Sequence, residues 1–546
     1  MFYLKKIINF LVITAFLCLF ITGCADKDGS GFIFKYDIPV NPKTLDPQTA
    51  TGQTAALLIA NMFDGLLKVD GNGGIISNIA AEYSVSEDNL IYTFILREDI
   101  FWYYDGENVP CTAHDFVFAF RRLFNPAVKS ENAPLFYSIK NGENVHKSRI
   151  EFEHDPERPL EAIGVHALND YTLIITLEAP NPLLPYLLTT TPAMPCNEEL
   201  YEKTAGRYGL NEKSIPSNGA FYITKWNFDP YSSNNNIIIM RRNAKNNEAE
   251  QIFPSGLNFF IGEKDPLTHF LDGHVHSIIA EGENAEFLML NNYPYDGFEN
   301  SVWGIVFNTN RDKVFSNADL REALASGLDR NLINPNRYGW RTSENIIPPL
   351  INIGREPYRK TAGDSAVLAY NAENAKLSYE KGAKEAGYDR LSGLSVIIPD
   401  NRTAFEYMSR ILQQWQTFGF YCSIRVLPDD EFESALSGGD YDIAMTKISG
   451  EFNSPDAYLS QFGKCIRSQP APSSEYRNIL TEARHSADLE AGAGLFLQAE
   501  NMLLEQAVFV PVCYQTELFF YNKKSSDLLY NPFTGTVTFR EAKYLK

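Results

Sequence analysis

Between Leu394 and Pro428 the chain reads LSVIIP, then AFEYMSRILQQWQTFG, then YCSIRVLP. The outer two are short runs rich in β-branched residues, and the middle one carries apolar residues at helical spacing. Strand, helix and strand in so short a span form a parallel pair in one sheet, joined by a right-handed crossover. Parallel strands are buried on both faces, so this stretch demands a layered α/β body around it. Its neighbours supply the layers. SVWGIVFNTN is a strand, FSNADLREALASGLDRNLI an amphipathic helix with Asn317 as N-cap, and NAENAKLSYEKGAKEAGY a helix ending near Gly387. EFESALSGGDYDIAMTKI adds a helix and a strand, AGAGLFLQAENMLLEQ a further helix, and VFVPVCYQTELFFYN closing strands.

The first half is richer in strands: residues 32–46, LIYTFILRED, DYTLIITLEAP, SNGAFYITKW and NNNIIIMRR. ALLIANMFDGLL, 56–67, has helical periodicity, KVDGNGGI forms a tight turn, and Thr112 N-caps a helix through Phe124. A length of 546 residues suits two or three domains. The closing strands leave only a short tail, so the chain end folds back onto an early domain.

The N-terminus pairs Lys5 and Lys6 with an apolar run from Ile7 to Ile21, too short to span a bilayer comfortably. It ends in Ile21-Thr22-Gly23-Cys24 and is followed by the polar ADKDGSG. A formal net charge of −20 repels phosphate backbones and excludes nucleic acid as a partner. Beyond the leader the cysteines are Cys111, Cys196, Cys422, Cys465 and Cys513. Five widely spaced cysteines without CxxC indicate neither a disulfide framework nor a zinc site, although one bridge is open to an exported chain.

Catalytic constellations are missing from the sequence. There is no G-x-S-x-G, Walker loop or G-x-G-x-x-G, and Ser378-Tyr379-Glu380-Lys381 lacks the companion motifs of penicillin-interacting enzymes. His269, His274 and His276 lie close in sequence but lack a metal-binding pattern. The expectation is a binder with no catalytic residue, metal or cofactor. One acid stands out: Glu451, just past the strand YDIAMTKIS and its break at Gly450.

Several segments resemble, in order, the bacterial extracellular solute-binding proteins of family 5, which include the oligopeptide- and dipeptide-binding lipoproteins of ABC importers. PKTLDPQTATGQTAALLIANMFDGLL looks like that family's opening, and TFILREDIFWYYDGENVPCTAHDFVFAFRRLFNP like its signature block. SNGAFYITKW and FNTNRDKVFSNADLREALASGLDRNLI are similar to two later blocks.

The resemblance implies an α/β, two-lobed periplasmic-binding-protein-like fold (type II, cluster C) with an extra β-rich domain. The implied division is a lipoprotein signal peptide at 1–23 and a tether at 24–31. Lobe I would comprise 32–70, 193–298 and 510–546, with the extra domain at 71–192 and lobe II at 299–509. Cys24 would carry the lipid, since the preceding residues resemble a lipobox, and would hold the protein on the extracytoplasmic face of the membrane. The implied partners are a peptide and a pair of permease subunits, and the implied state is a monomer. Glu451 would pair with the peptide's α-amino group. Backbone at Lys447 and Ser449, and at Thr51, Gly52 and Gln53, would line its two sides, and Asn308 is a further candidate. A nickel complex, an opine or a sugar is the alternative ligand, and a tethered hydrolase or receptor on the same fold the alternative class.

Overall fold

The computed structural model describes residues 31–70, 74–148, 158–232, 235–310, 313–333, 339–354, 356–366, 369–387, 391, 393–450, 452–463, 473–486 and 488–545. The expected leader with Cys24, together with Glu451 and Cys465, lies outside the described residues.

Three larger sheets organise the chain. In the first, the strand Ile33–Ile38 runs parallel to Gly256–Ile261, and Ile237–Arg242 and Phe221–Asn227 follow antiparallel. The second is antiparallel, in the order Ala80–Val85, Ile91–Leu96, Thr172–Thr176, Val165–Asn169. One continuous apolar core joins these two sheets, reaching from Phe34 through Phe94 and Leu188 to Phe539. The expected limit between the extra domain and lobe I, at 192/193, therefore cuts across a shared core.

The third sheet has seven strands and holds the unit that opened the sequence analysis. Ser395–Pro399 and Ser423–Leu427 pair in parallel, with the helix Arg402–Gln416 between them in sequence. That helix buries Ala404, Tyr407, Met408, Ile411 and Trp415, which share one face. The sheet continues through Ile443–Ser449 to two strands of thirteen residues, Tyr295–Phe307 and Phe509–Tyr521. Alternation sorts their side chains onto opposite faces: Trp303, Ile305 and Met445 enter one core, Val302, Val306 and Ile448 another.

The two long strands pair antiparallel and link the bodies. Val510 and Val512 sit in the core of the seven-stranded body, whereas Phe519, on the same strand, belongs to the first core and stacks on Tyr530 at 4.9 Å. The last residues do return: Phe539 lies 4.8 Å from Phe34 and 5.7 Å from Tyr36, ring centre to ring centre.

Local signals came out as expected at Thr112, Asn317 and Gly387. Thr112 caps Ala113–Phe124, with the Asp115 carboxylate accepting the Thr112 N–H at 2.8 Å. Asn317 accepts the Leu320 N–H at 3.1 Å, and Gly387 has φ +80 just past Ala372–Glu385. The helix expected over 56–67 is displaced. It spans Gln53–Met62, because Phe63 is extended and Asp64 donates its N–H to the Asn218 side chain, 154 residues away. The chain then enters the strand Leu67–Val69. Among the described residues, Cys111, Cys196, Cys422 and Cys513 are free thiols, and no helix is long and apolar enough to cross a membrane.

Candidate functional site

The strand Ile443–Ser449 runs antiparallel to Tyr295–Phe307, with Trp303 opposite Lys447 and Ser301 opposite Ser449. On its other side, the paired residues among those described are Ile443 and Ala444, against Val396 and Ile397. From Met445 onward no strand pairs with that edge among the described residues. The end of the strand is held firmly. Ser449 Oγ lies 2.9 Å from Ser301 Oγ, and Gln461 donates to the Ser449 carbonyl at 2.9 Å.

Gly450 follows because a ring occupies the place of its side chain. A Cβ there would sit 2.6–2.9 Å from three atoms of Tyr458, which is fully buried and donates to the Asn300 carbonyl at 2.6 Å. Gly450→Val is expected to cost about 1–3 kcal/mol by overpacking, read as a lower denaturant midpoint. An unchanged midpoint would mean that the ring yields freely.

The other expected wall, Thr51–Gln53, continues the loop that starts at Asp46. Arg122 anchors it, donating to Asp46 at 3.0 and 2.5 Å and to Gln48 Oε1 at 2.7 Å, all three side chains being buried. Ser130 donates to the Gln48 carbonyl at 2.6 Å and Asn132 to the Ala50 carbonyl at 3.0 Å. Past these anchors Thr51, Gly52 and Gln53 are exposed. Gly52 has φ 85 and ψ 155, a conformation open to glycine at little cost, and opens the helix Gln53–Met62.

A loop near the chain end links the two walls. Gly535 packs against the Gln53 side chain, while the Pro532 carbonyl accepts from Asn300, the residue before Ser301. Nearby the Tyr186 and Phe452 rings face each other at 6.0 Å across the bodies. A charged pair also bridges them: Glu283, on the helix Gly282–Leu290 of the first body, meets Arg402 at the start of the helix Arg402–Gln416.

Two charges of this region, Lys447 and Glu517, influence each other. Glu517 lies on the second long strand, opposite Phe298, and is half-buried. Burial pushes its carboxyl up to about 7, against the pull of Lys447 and Asn300 and with the repulsion of Glu281. The carboxylate in turn helps buried Tyr36 of the first sheet resist ionisation, after burial itself. Glu517 thus feels Lys447 from one body and Tyr36 from the other.

Thr51–Gln53 and Lys447–Ser449 flank the same region, joined through Gly535, Pro532 and Asn300. Asn308 is placed elsewhere. It lies just past the far end of its strand, seven residues from Ser301 and so about 23 Å away. Its buried amide donates to the Gly439 and Tyr441 carbonyls at 2.8 and 3.0 Å, and the side chain fastens a turn. The remaining candidate motifs have structural partners: Lys381 pairs with Asp319 at 2.9 Å, and His269 bonds Asp37 at 2.9 Å. No group of three or more His, Cys, Asp or Glu among the described residues could hold a metal ion. Sequence reasoning missed Asn300, Arg402, Glu283 and Glu517. For Glu517 a signal existed: it is the one charge inside VFVPVCYQTELFFYN.

The chain is 23% identical over 563 residues to the dipeptide-binding protein of Lactococcus lactis, covering 99% of each. It is 25% identical to the oligopeptide-binding protein OppA of Bacillus subtilis, covering 96% of this chain and 94% of that one. A further relative, 24% identical over 88% of each chain, is the probable deoxycholate-binding protein YgiS of Escherichia coli. The fold matches OppA of Listeria monocytogenes bound to peptide, with TM-score 0.71 and 22% identity over 95% of this chain and all of that one. It likewise matches OppA of Haemophilus influenzae in complex with RPPGFSPFR, with TM-score 0.72 and 19% identity over 95% and 99%. The model of the bacterial extracellular solute-binding proteins, family 5, matches residues 74–469, and the chain belongs to that family.

Proposed function

We propose that the protein captures peptides in the groove between its two bodies and delivers them to the permease pair of an ABC importer, without chemically altering them. The observation that supports this reading is that, among the described residues, the strand Ile443–Ser449 is paired on its second side only at Ile443 and Ala444, while Thr51–Gln53 are exposed. An extended peptide fits there as an added strand, its main chain giving affinity whatever its side chains. Relatives named for dipeptides and oligopeptides support the choice of ligand.

Glu451, directly after Gly450, is assigned the peptide's α-amino group. A charge-assisted bond of this kind is about twice as strong as a neutral one. The lobes are proposed to close about the two long strands, with ligand shifting the population toward the closed form. Lipid on Cys24, a monomeric state and the domain limits given from the sequence belong to the same proposal, with the extra domain sharing its core with lobe I.

Native mass spectrometry of the freshly purified protein tests the ligand. A ladder of co-purifying peptide masses is expected, and Glu451→Gln should lose about 1.5–3 kcal/mol of peptide affinity, read by calorimetry. A peptide that is hydrolysed on incubation would overturn the binder reading. A second reading, a non-peptide solute, is favoured by the deoxycholate-binding relative and by the facing Tyr186 and Phe452 rings. A single non-peptide adduct in the same spectrum would select it.

A further inference from the structure

Arg402 opens the helix Arg402–Gln416, with the Asn401 side chain accepting the Ala404 N–H at 2.9 Å as its cap. A cation at that position opposes the helix dipole, whose positive end lies there. Its own helix compensates little. Glu406 lies four residues on, 3.3 Å from Nε, and a pair with the cation on the N-terminal side is the weaker orientation. Nothing local accounts for an arginine here. Its stronger partner stands on the other body: Nη1 of Arg402 meets the carboxylate of Glu283, 119 residues earlier. Glu283 is the second residue of Gly282–Leu290, where an acid suits the dipole.

Ala285 and Leu288 of that helix pack with Phe270 and Phe520, whereas Met408, Ile411 and Trp415 lie in the core of the seven-stranded body. Neither helix belongs to the two long strands that link the bodies. Turning one body about those strands carries Glu283 away from Arg402, while Glu406 travels with the arginine. In the same arrangement the Tyr186 and Phe452 rings stand 6.0 Å apart across the bodies, so the ion pair marks the form in which the bodies meet. With side chains 69% and 71% exposed, it is too wet to hold a core together. What it can do is bias the balance between two arrangements. Its setting is otherwise acidic: apart from Arg402, the charged residues of 281–286 and 400–406 are Glu281, Glu283, Glu286, Asp400 and Glu406. Without the cation, both segments carry acids alone.

We propose that Glu283 and Arg402 form an electrostatic latch that favours the closed arrangement of the two bodies and so raises affinity for whatever the groove holds. The inference rests on the closure reading above and names the contact that biases it. Arg402 is a positioning residue: it acts on ligand only through the arrangement of the bodies. An exposed pair of this kind shifts an equilibrium by about 2- to 5-fold. Reversing one charge turns attraction into repulsion and doubles the effect in free energy, to about 3- to 20-fold.

The test is calorimetric titration of the full chain with tetra-alanine, paired with small-angle X-ray scattering of the unliganded protein. Arg402→Glu should bind the peptide about 3- to 20-fold more weakly than the parent. The swap of Glu283→Arg with Arg402→Glu keeps the net charge and should restore affinity to within about twofold. The loss in the single variant should shrink near ~1 M salt, where screening sets in beyond about 3 Å. The denaturant midpoint separates a latch from a structural role. An acid at the helix start suits the dipole, so Arg402→Glu should leave the midpoint level or raise it while affinity falls. In scattering, Arg402→Glu should enlarge the radius of gyration and the swap should bring it back. Affinity unchanged in the single variant, or lost equally in the swap, overturns the latch alone. If tetra-alanine fails to bind the parent, the peptide reading falls and scattering decides the latch, which coinciding profiles of parent and Arg402→Glu overturn.

Discussion

Replacing Asp46 by alanine is expected to destabilise the first body by about 3–5 kcal/mol, because it strands the Arg122 guanidinium in a buried site. Asp46 and Arg122 are both almost wholly buried, and Asp46 also accepts the Gln48 N–H at 3.2 Å. The attraction between the pair offsets the cost of taking two ions out of water only while both are present. Denaturant titration should therefore show a large fall in the midpoint for Asp46→Ala. The double variant Asp46→Leu with Arg122→Met should recover much of it, since an apolar pair carries no desolvation cost. Peptide affinity should fall in the single variant as well, because Thr51–Gln53 follow directly from this anchor. A loss below 1 kcal/mol would show that water reaches the pair, and the anchoring account of the loop would then fail.

The second large effect is expected at Glu500 in the other body. This side chain is fully buried in the helix Leu489–Glu505, and one of its oxygens accepts from three donors: the Ile346 N–H at 2.9 Å, the Ile347 N–H at 3.2 Å and Arg359 at 2.5 Å. Alanine there leaves two buried amides and a guanidinium without their acceptor, again about 3–5 kcal/mol. Glutamine keeps an acceptor oxygen and loses the charge, so its midpoint should fall between alanine and the parent. Hydrogen exchange should report the same event locally, with protection lost first at Ile346 and Ile347. If glutamine and alanine behave alike, the charge rather than the acceptor is what matters. If neither variant moves the midpoint, the three bonds contribute nothing net.

The sequence announced those elements whose causes are local. Asn317 and Thr112 mark helix starts because a cap needs only the next three residues. The parallel unit around Arg402–Gln416 declared itself through the change from alternating to helical spacing. The helix that ends at Met62 was misplaced because its stop signal comes from Asn218 and Gly219, remote in sequence. Gly450 read as a strand break, and only the fold shows a Tyr458 ring where a side chain would go. Asn308 matched a family pattern, yet its amide ties down a turn. That use depends on two carbonyls more than 130 residues away, which no local pattern encodes. Glu517 could have been singled out as a charge in an apolar strand, but its proximity to Lys447 and Tyr36 exists only once both bodies are assembled.

The return of the chain end has a consequence for how the molecule is made. Asn61 bonds the carbonyl of Val537 at 2.7 Å, 476 residues later, and the Phe539 ring lies among Phe34, Tyr36 and Phe259. A ribosome releases the earliest of these rings long before the last, so the first body stays unsealed until translation is nearly over. Contacts of such separation are slow to form, and the half-made protein remains pliable. That suits a polypeptide threaded across a membrane leading end first, which can lock its shape only after the final segment has come through.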